Sequence, residues 1–117
     1  MRPFRDLKVW EKSHHLTLEI YRLTKTFPHD EKFGLTSQLR RAAASIPANI
    51  AEGCGRGSDA DFRRFLLISA GSASEVEYHI LLARDLGYID EVSYGTTNNK
   101  VTEINRMLSA FIQKLGG

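Results

Sequence analysis

Apolar residues, joined by Ser69 in the third case, recur at steps of three, four or seven positions in four separate stretches of this chain. The stripes are Val9, Leu16, Ile20, Leu23 and Phe27; Leu35, Leu39, Ala42, Ile46 and Ile50; Phe62, Phe65, Ser69, Ala73, Val76, Ile80 and Ala83; and Val101, Ile104, Leu108, Phe111 and Leu115. This spacing is typical of amphipathic helices that each bury one face. We therefore predict helices over about residues 7–26, 30–53, 59–86 and 91–115.

Residues that start and stop helices separate these stripes. The candidate N-caps are Asp6, Asp30, Ser58 (with Asp61 three residues later) and Asp90, and the candidate stops are Pro28, Gly53 and Gly87. The fourth helix begins weakly, because YGTTNNK at 94–100 is poor helix sequence. We expect this end to fray or to be remodelled.

Long helices joined by short connections pack against their neighbours in antiparallel order. The predicted fold is therefore all-α, an antiparallel up-down-up-down four-helix bundle, with residues 1–117 as a single domain. No apolar run approaches the length of a membrane span, the N-terminus lacks the apolar region of a signal peptide, and the single cysteine suits a reducing compartment. We expect a cytoplasmic protein with no membrane partner.

The second predicted helix contains Pro47, which cannot donate a hydrogen bond to the carbonyl of Ala43. A bend after Pro47 would relieve the resulting clash and would aim the end of the helix, up to Gly53, in a particular direction. Small residues in AAAS (42–45) and SAGSAS (69–74), including Gly71 and Ser72, predict a close approach of the second and third helices, with Ala42 opposite Ala70. Good packing alone would also account for these small residues.

A polar stripe runs beside the apolar one on the second helix. It consists of Gln38, Arg41, Ser45, Asn49 and Glu52, and the third helix offers Ser72 and Glu75 at similar spacing. Two interpretations remain open. The stripe is either a solvated face or an inter-subunit or inter-helix network in which Arg40 or Arg41 pairs with Glu52, Glu75 or Glu77.

The net charge is only +2, but the basic residues are unevenly distributed. Arg5, Lys8, Lys12, His15, Arg22 and Lys25 follow one face of the first helix, interrupted by Glu19. This face is either simply solvated or a surface for a phosphate backbone, with salt-dependent and sequence-tolerant binding.

The glycine cluster GCGRGS at 53–58 matches neither phosphate-loop family, because a helix precedes it and no lysine follows it. We interpret it as an interhelical turn, with the alternative that Arg56 contacts a nucleic-acid phosphate.

Candidate catalytic chemistry is sparse. Glu11 and His14 match half of a di-iron bundle motif that has no second copy in the chain, and Cys54 has no evident base partner. We predict no catalytic residues, no metal, no cofactor and no enzymatic activity.

Several stretches resemble the four-helix bundle family of 23S rRNA intervening-sequence proteins. They are FRDLKVW at 4–10, FGLTSQLRRAAASIPANIAEG at 33–53, RFLLISAGSASEVE at 64–77 and LGYI at 86–89. The resemblance implies a bacterial, non-enzymatic bundle that assembles as a ring-like homopentamer. A related branch acts as the accessory protein of diversity-generating retroelements, engaging a reverse transcriptase and nucleic acid. The resemblance implies that the residues of the family motif are, in this chain, Arg40, Arg41, Ser45, Pro47, Asn49, Glu52, Gly53, Gly71, Ser72 and Glu75.

From these observations we expect a homo-oligomer that binds RNA or a ribonucleoprotein through Arg5, Lys8, Lys12, Arg22, Lys25 and Arg56. A nucleic-acid-processing protein is a further possible partner. The alternative is an assembly module that binds only proteins, with no nucleic-acid role.

Overall fold

The computed structural model describes residues 2–116, and within that range every regular element is helical. The four long helices are α1 (Lys8–Thr24), α2 (Leu35–Cys54), α3 (Asp59–Asp85) and α4 (Glu91–Gly116). Short 3-10 turns precede α1 (Phe4–Asp6) and α2 (His29–Glu31). None of the described helices combines the length and apolarity needed to cross a membrane. The predicted all-α class is confirmed.

Contacts between neighbouring helices show that they run in opposite directions. The Arg63 side chain near the start of α3 donates to the Ile112 carbonyl near the end of α4, whereas Arg84 near the end of α3 pairs with Glu91 at the start of α4. The other three contacting pairs of helices are α1 with α2, α2 with α3 and α1 with α4. In each of them, residues later in one helix likewise contact residues earlier in the other. Each helix packs on two others, which gives a bundle of 43 × 23 × 20 Å.

Most of the core comes from the apolar stripes read from the sequence, with Ala43, Cys54, Leu66 and Ile112 added to it and Leu23, Phe111 and Leu115 only partly buried. The largest fully buried side chains come from all four helices: Leu16 and Ile20; Leu39, Ile46 and Ile50; Phe62, Leu66, Val76 and Ile80; and Val101, Ile104 and Leu108. Each such side chain stabilises the fold by about 1.5–3 kcal/mol relative to leaving it in water. The bundle is therefore held by one continuous core.

Three of the predicted helix ends are formed by the expected residues. The Ser58 hydroxyl accepts the Asp61 N–H (3.1 Å) at the start of α3, and the Asp90 carboxylate accepts the Ser93 N–H (2.7 Å) at the start of α4. This bond lowers the pKa of Asp90. At the end of α3, Gly87 has a positive φ of 81° and the N–H of Tyr88 reaches back to the Ala83 carbonyl, which is the Schellman arrangement.

The predicted N-caps of the first two helices are wrong, and so is the predicted start of the second. Asp6 lies inside the first 3-10 turn, so Leu7 occupies the N-cap position of α1 without a side-chain cap. Asp30 lies in the second 3-10 turn, and α2 begins five residues later, at Leu35.

The side chain of Glu31 accounts for where α2 begins. Its carboxylate accepts the Leu35 N–H (3.1 Å) and the Tyr88 hydroxyl (2.8 Å). These two donors lower the pKa of Glu31, the backbone donor most strongly, and the same contact raises the pKa of Tyr88. Glu31 thereby joins the connection before α2 to the connection between α3 and α4.

Gly53 is not the C-cap of α2, as its sequence position suggested, but lies inside the helix, which continues to Cys54. A Cβ atom at Gly53 would lie 2.9 Å from both Phe62 Cδ1 and Phe65 Cβ. Glycine is needed here because α3 crosses close to this backbone.

α2 continues through Pro47 because other helices supply the missing hydrogen bond. The Thr17 hydroxyl on α1 donates to the Ala43 carbonyl (3.0 Å), the acceptor that Pro47 leaves without its helical N–H. One turn later, the Ser69 hydroxyl on α3 donates to the Ile46 carbonyl (2.9 Å). All of these groups are buried.

α4 is also continuous through YGTTNNK, where the sequence suggested fraying. Thr97 is fully buried in the middle of this stretch, and its hydroxyl donates to Glu19 on α1 (3.1 Å). Tertiary contact here outweighs weak helix propensity.

Candidate nucleic-acid interface

The middle of the basic face on α1 is partly neutralised by α4. Lys12 pairs with Glu103 (3.2 Å), and Glu19, the acidic interruption in this face, binds Lys100. These pairs join α1 to α4 across the bundle surface. Of the predicted binding residues, Lys12 is therefore the least available to a phosphate.

The remaining predicted residues separate into two groups at opposite ends of the bundle. Arg5, Lys8 and Arg56 lie where α1 begins and α2 ends, whereas Arg22 and Lys25 lie where α1 ends. All five are exposed. The structure therefore does not bring the predicted residues together into one continuous groove.

At the first end, three arginines surround the turn between α2 and α3. The backbone N–H of Arg2 donates to the Cys54 carbonyl (3.2 Å), and its guanidinium pairs with Asp59 (3.1 Å). Arg5 lines a surface cavity beside Cys54 and Gly55, and the Arg56 guanidinium lies 4.9 Å from the centre of the Phe65 ring. Acidic residues interrupt this cluster. Asp6 lines the cavity beside Cys54 and Gly55, and Asp59 lines a second, smaller cavity at the turn between α2 and α3.

At the other end, a groove of about 550 Å³ lies between α1 and the start of α2. We call it the Tyr21 groove; it is lined by Tyr21, Lys32, Phe33, Thr36, Ser37, Arg40, Arg41 and Ala44. Within residues 2–116 it has three cationic side chains in its lining and no carboxylate. Arg22 and Lys25 lie at the same end of the bundle.

Arg40 is fixed in the Tyr21 groove by three contacts with α1. Its Nε donates to the Thr24 hydroxyl (2.7 Å), its Nη2 donates to the Tyr21 carbonyl (3.3 Å), and its Cζ lies 4.7 Å from the centre of the Tyr21 ring. The Nη1 group is not used in these bonds. Arg40 is therefore ordered before any ligand arrives.

The two charged ends of the polar stripe on α2, Arg41 and Glu52, form no ion pair with another residue in the described range 2–116. The sequence allowed Arg40 or Arg41 to bind Glu52, Glu75 or Glu77, but the ion pairs formed by residues 2–116 include none of these. Arg40 binds α1 instead, and Arg41 is exposed. Gln38, Glu52 and Glu75 are also exposed, so the inter-subunit form of the network stays a prediction.

The centre of the stripe does form contacts between α2 and α3. The hydroxyls of Ser45 and Ser72 lie 2.8 Å apart, and the Asn49 amide donates to the Ser45 hydroxyl (2.9 Å) and carbonyl (2.8 Å). Ser45 thus faces Ser72, so Ala42 lies about one turn away from its predicted position opposite Ala70.

Gly71 does not take part in this close approach, contrary to the expectation from the sequence. It is exposed on the outer side of α3, and a Cβ atom there would meet nothing within 4 Å. The same outer side carries exposed Leu67, Ile68 and Tyr78. These four residues form the outer face of α3.

His14 and Cys54, which the sequence offered as candidates for metal binding or catalysis, have surroundings that fit a structural role. The His14 ring stacks on Trp10, with 5.0 Å between centroids and 6° between planes. Cys54 is buried, and burial raises the pKa of its thiol above the ordinary value. Among the described residues, no three His, Cys, Asp or Glu side chains converge as metal ligands would.

Sequence reasoning missed Tyr21, Lys32 and Phe33 as candidate site residues. Phe33 was placed inside a helix that in fact starts at Leu35, and its side chain is 88% exposed. The available signal was that Phe33 falls outside the period of the Leu35–Leu39 stripe and follows a lysine.

Comparison with known proteins identifies the family. The model of the 23S rRNA-intervening sequence protein family matches residues 5–110. A crystal structure of a protein of unknown function from the S23 ribosomal protein family of Bacteroides thetaiotaomicron VPI-5482 is 34% identical. The match covers 89% of this chain and 97% of that one, with a TM-score of 0.80. No curated protein matches this sequence. Matched over almost its whole length, the chain belongs to the 23S rRNA-intervening sequence protein family.

Proposed function

We propose that this protein is a non-enzymatic homo-oligomeric bundle that binds RNA or a ribonucleoprotein through its basic surface. The observation that carries the proposal is the composition of the Tyr21 groove. Lys32, Arg40 and Arg41 line the Tyr21 groove with no carboxylate among them in the described chain, and Arg22 and Lys25 lie at the same end. A groove lined by cations attracts a phosphate backbone, and binding releases the counterions of the nucleic acid.

Salt dependence tests this proposal in a filter-binding assay with a structured RNA. If three phosphates are contacted, raising the salt from about 50 to about 200 mM should weaken binding by roughly 20-fold or more. The double variant Arg22→Glu, Lys25→Glu should bind more weakly, whereas the control Lys114→Glu, at the other end of the bundle, should bind normally. Absence of binding at the lower salt would refute the nucleic-acid role.

The homo-oligomeric part of the proposal is supported by the outer face of α3. Leu67, Ile68 and Tyr78 expose about half of their surface to solvent in the single chain, next to Gly71, which leaves room for close contact. Such a patch is typical of interaction sites. The family resemblance suggests a pentamer.

Multi-angle light scattering measures the assembly directly. A pentamer would have about five times the 13.2 kDa mass of one chain. Tyr78→Glu should shift the mass toward that of the monomer with helix content intact, whereas Val92→Glu, at an exposed apolar position on α4, should not. A monomeric wild-type protein would refute the proposed assembly.

The alternative function, a protein-binding assembly module, is favoured by the same outer face of α3. It predicts assembly without RNA binding. Finding the expected mass together with no RNA binding at low salt would therefore select it over the first proposal.

A further inference from the structure

We infer that the Tyr21 groove is a site for single-stranded nucleic acid, in which bases stack on Tyr21 and Phe33 while the arginines contact phosphates. The inference rests on the proposed nucleic-acid function and adds to it a specific site and strand type. It assigns a role to Tyr21, Lys32 and Phe33. It also assigns ligand binding to Arg40 and Arg41, which the sequence had suggested for an inter-helix network.

The first argument is the exposure of two aromatic rings in one groove. Phe33 is 88% exposed and Tyr21 is 43% exposed, although burying a ring of this size is worth about 1.5–3 kcal/mol. A single exposed apolar residue is ordinary. Two rings that line the same groove as three cations are the combination that single-strand-binding proteins use.

The second argument is that the cationic part of the groove is already ordered. The bonds from Arg40 to Thr24 and to the Tyr21 carbonyl hold its guanidinium over the Tyr21 ring. Its Nη1 group remains available to a phosphate oxygen. Because ring and guanidinium are positioned together, little side-chain freedom is lost when a nucleotide binds.

The third argument is the charge surrounding Phe33. Lys32 Nζ lies 5.5 Å from the centre of the Phe33 ring, and Arg41 is exposed on the same groove. Glu31, the adjacent carboxylate in the chain, is turned to Leu35 and Tyr88. The polymer that offers flat rings and regularly spaced negative charges together is a nucleic acid, so we favour it over an acidic protein segment.

The strand type follows from the stacking. Bases in a duplex are stacked on each other and cannot lie on a protein ring without being unpaired, whereas an unpaired strand offers every base. Stacking and phosphate contacts distinguish the four bases only weakly. The expected ligand is therefore an unpaired segment, bound with little sequence preference.

The test is fluorescence anisotropy with a labelled 12-nucleotide oligouridylate and, in parallel, a labelled 12-base-pair RNA duplex at low salt. Wild-type protein should bind the single strand more tightly. Phe33→Leu, which keeps an exposed apolar side chain, should weaken single-strand binding by about 5- to 150-fold, and Phe33→Trp should restore it. Binding of the duplex should be unchanged in both variants.

Arg41→Gln tests the cationic part of the groove. It should weaken single-strand binding and reduce the slope of log K against log salt by about 0.7. The matched controls are Lys114→Gln, which removes a cation at the opposite end, and Leu86→Ala, which removes an exposed apolar side chain outside the groove. Both should leave the affinity for oligouridylate unchanged.

The outcomes separate this inference from the function on which it rests. Equal binding of both RNAs, unaffected by Phe33→Leu, would overturn the stacking site and leave the proposed function standing. Failure to bind either RNA would overturn both. Saturable binding of a poly-glutamate peptide that Phe33→Leu abolishes, without RNA binding, would assign the groove to an acidic protein segment and overturn the inference.

Discussion

Thr17→Val removes the hydroxyl that satisfies the Ala43 carbonyl next to Pro47. The two side chains have nearly the same shape, so the change deletes a hydrogen bond without opening a cavity. Ala43 is 0% exposed and its carbonyl lies 3.0 Å from the Thr17 hydroxyl, so water cannot replace the lost donor. Leaving a buried acceptor unsatisfied costs about 1–3 kcal/mol. We expect the free energy of unfolding to fall by about that amount, and the Tm by roughly 4–10 °C.

A double-mutant cycle with Pro47→Ala isolates the cause. Alanine restores a backbone N–H that can donate to Ala43 within α2, so the Thr17 hydroxyl is no longer needed. Thr17→Val should then cost at most about 0.5 kcal/mol in the Pro47→Ala background, which corresponds to a coupling of about 0.5–3 kcal/mol. Any packing lost by trimming Pro47 is common to both arms of the cycle and cancels.

Urea denaturation followed by circular dichroism at one fixed protein concentration gives these free energies. Thr102→Val is the matched control, because its hydroxyl donates only to the Asn98 carbonyl within α4 and should matter little. The Thr17 hydroxyl also lies 2.8 Å from the Ser13 carbonyl, which keeps its own helical donor. If Thr17→Val cost the same with and without Pro47, the Thr17 hydroxyl would not be compensating for the proline.

Three further predictions concern helix ends and helix contacts. Gly53→Ala should destabilise the bundle by about 1–3 kcal/mol in urea melts, because its Cβ would lie 2.9 Å from Phe62; the matched control Gly95→Ala, inside α4 and with nothing within 4 Å of its Cβ, should instead stabilise by up to about 1 kcal/mol. Gly87→Ala should cost about 1–2 kcal/mol, because its φ of 81° strains any other residue, and an unchanged urea midpoint would contradict this. Asp90→Ala should lower the urea midpoint at neutral pH. Because the N-terminal hydrogen bonds depress the pKa of Asp90, its contribution is present above the ordinary carboxyl pKa and is lost as the pH falls through the lowered one, so wild type and variant should converge in acid. A difference that persisted below that pH would assign the effect to something other than the charged cap.

The sequence predicted the helices well because each stripe is long and regular. The stripes of α1 to α4 supply nearly all of the core, and a period of 3.6 maintained over several turns is characteristic of an amphipathic helix. The start of α2 was not predictable in the same way, because Asp30 and Glu31 are equally good first-turn residues. The deciding contact, from Tyr88 to Glu31, comes from 57 residues away.

The candidate site was less predictable than the fold, since its members are brought together by tertiary packing. Tyr21 and Phe33 lie on different elements, and neither belongs to a local motif. Arg40 lies among polar residues of α2 in the sequence, yet its partners Thr24 and the Tyr21 carbonyl are on α1. Local spacing could indicate that these side chains were exposed or polar, but not which helix they would meet.

The carbonyl freed by Pro47 has a consequence for the alignment of the helices along their axes. Sliding α2 along α1 by one 5.4 Å turn would move the Thr17 hydroxyl away from the Ala43 carbonyl. Pro47 is the one proline inside the described helices, so Ala43 is a single point on α2 where a hydroxyl is required. A slipped pairing would place Thr17 against a carbonyl that already has its donor and would leave Ala43 with none. The proline, which weakens the helix taken alone, thereby favours one alignment of α2 against α1.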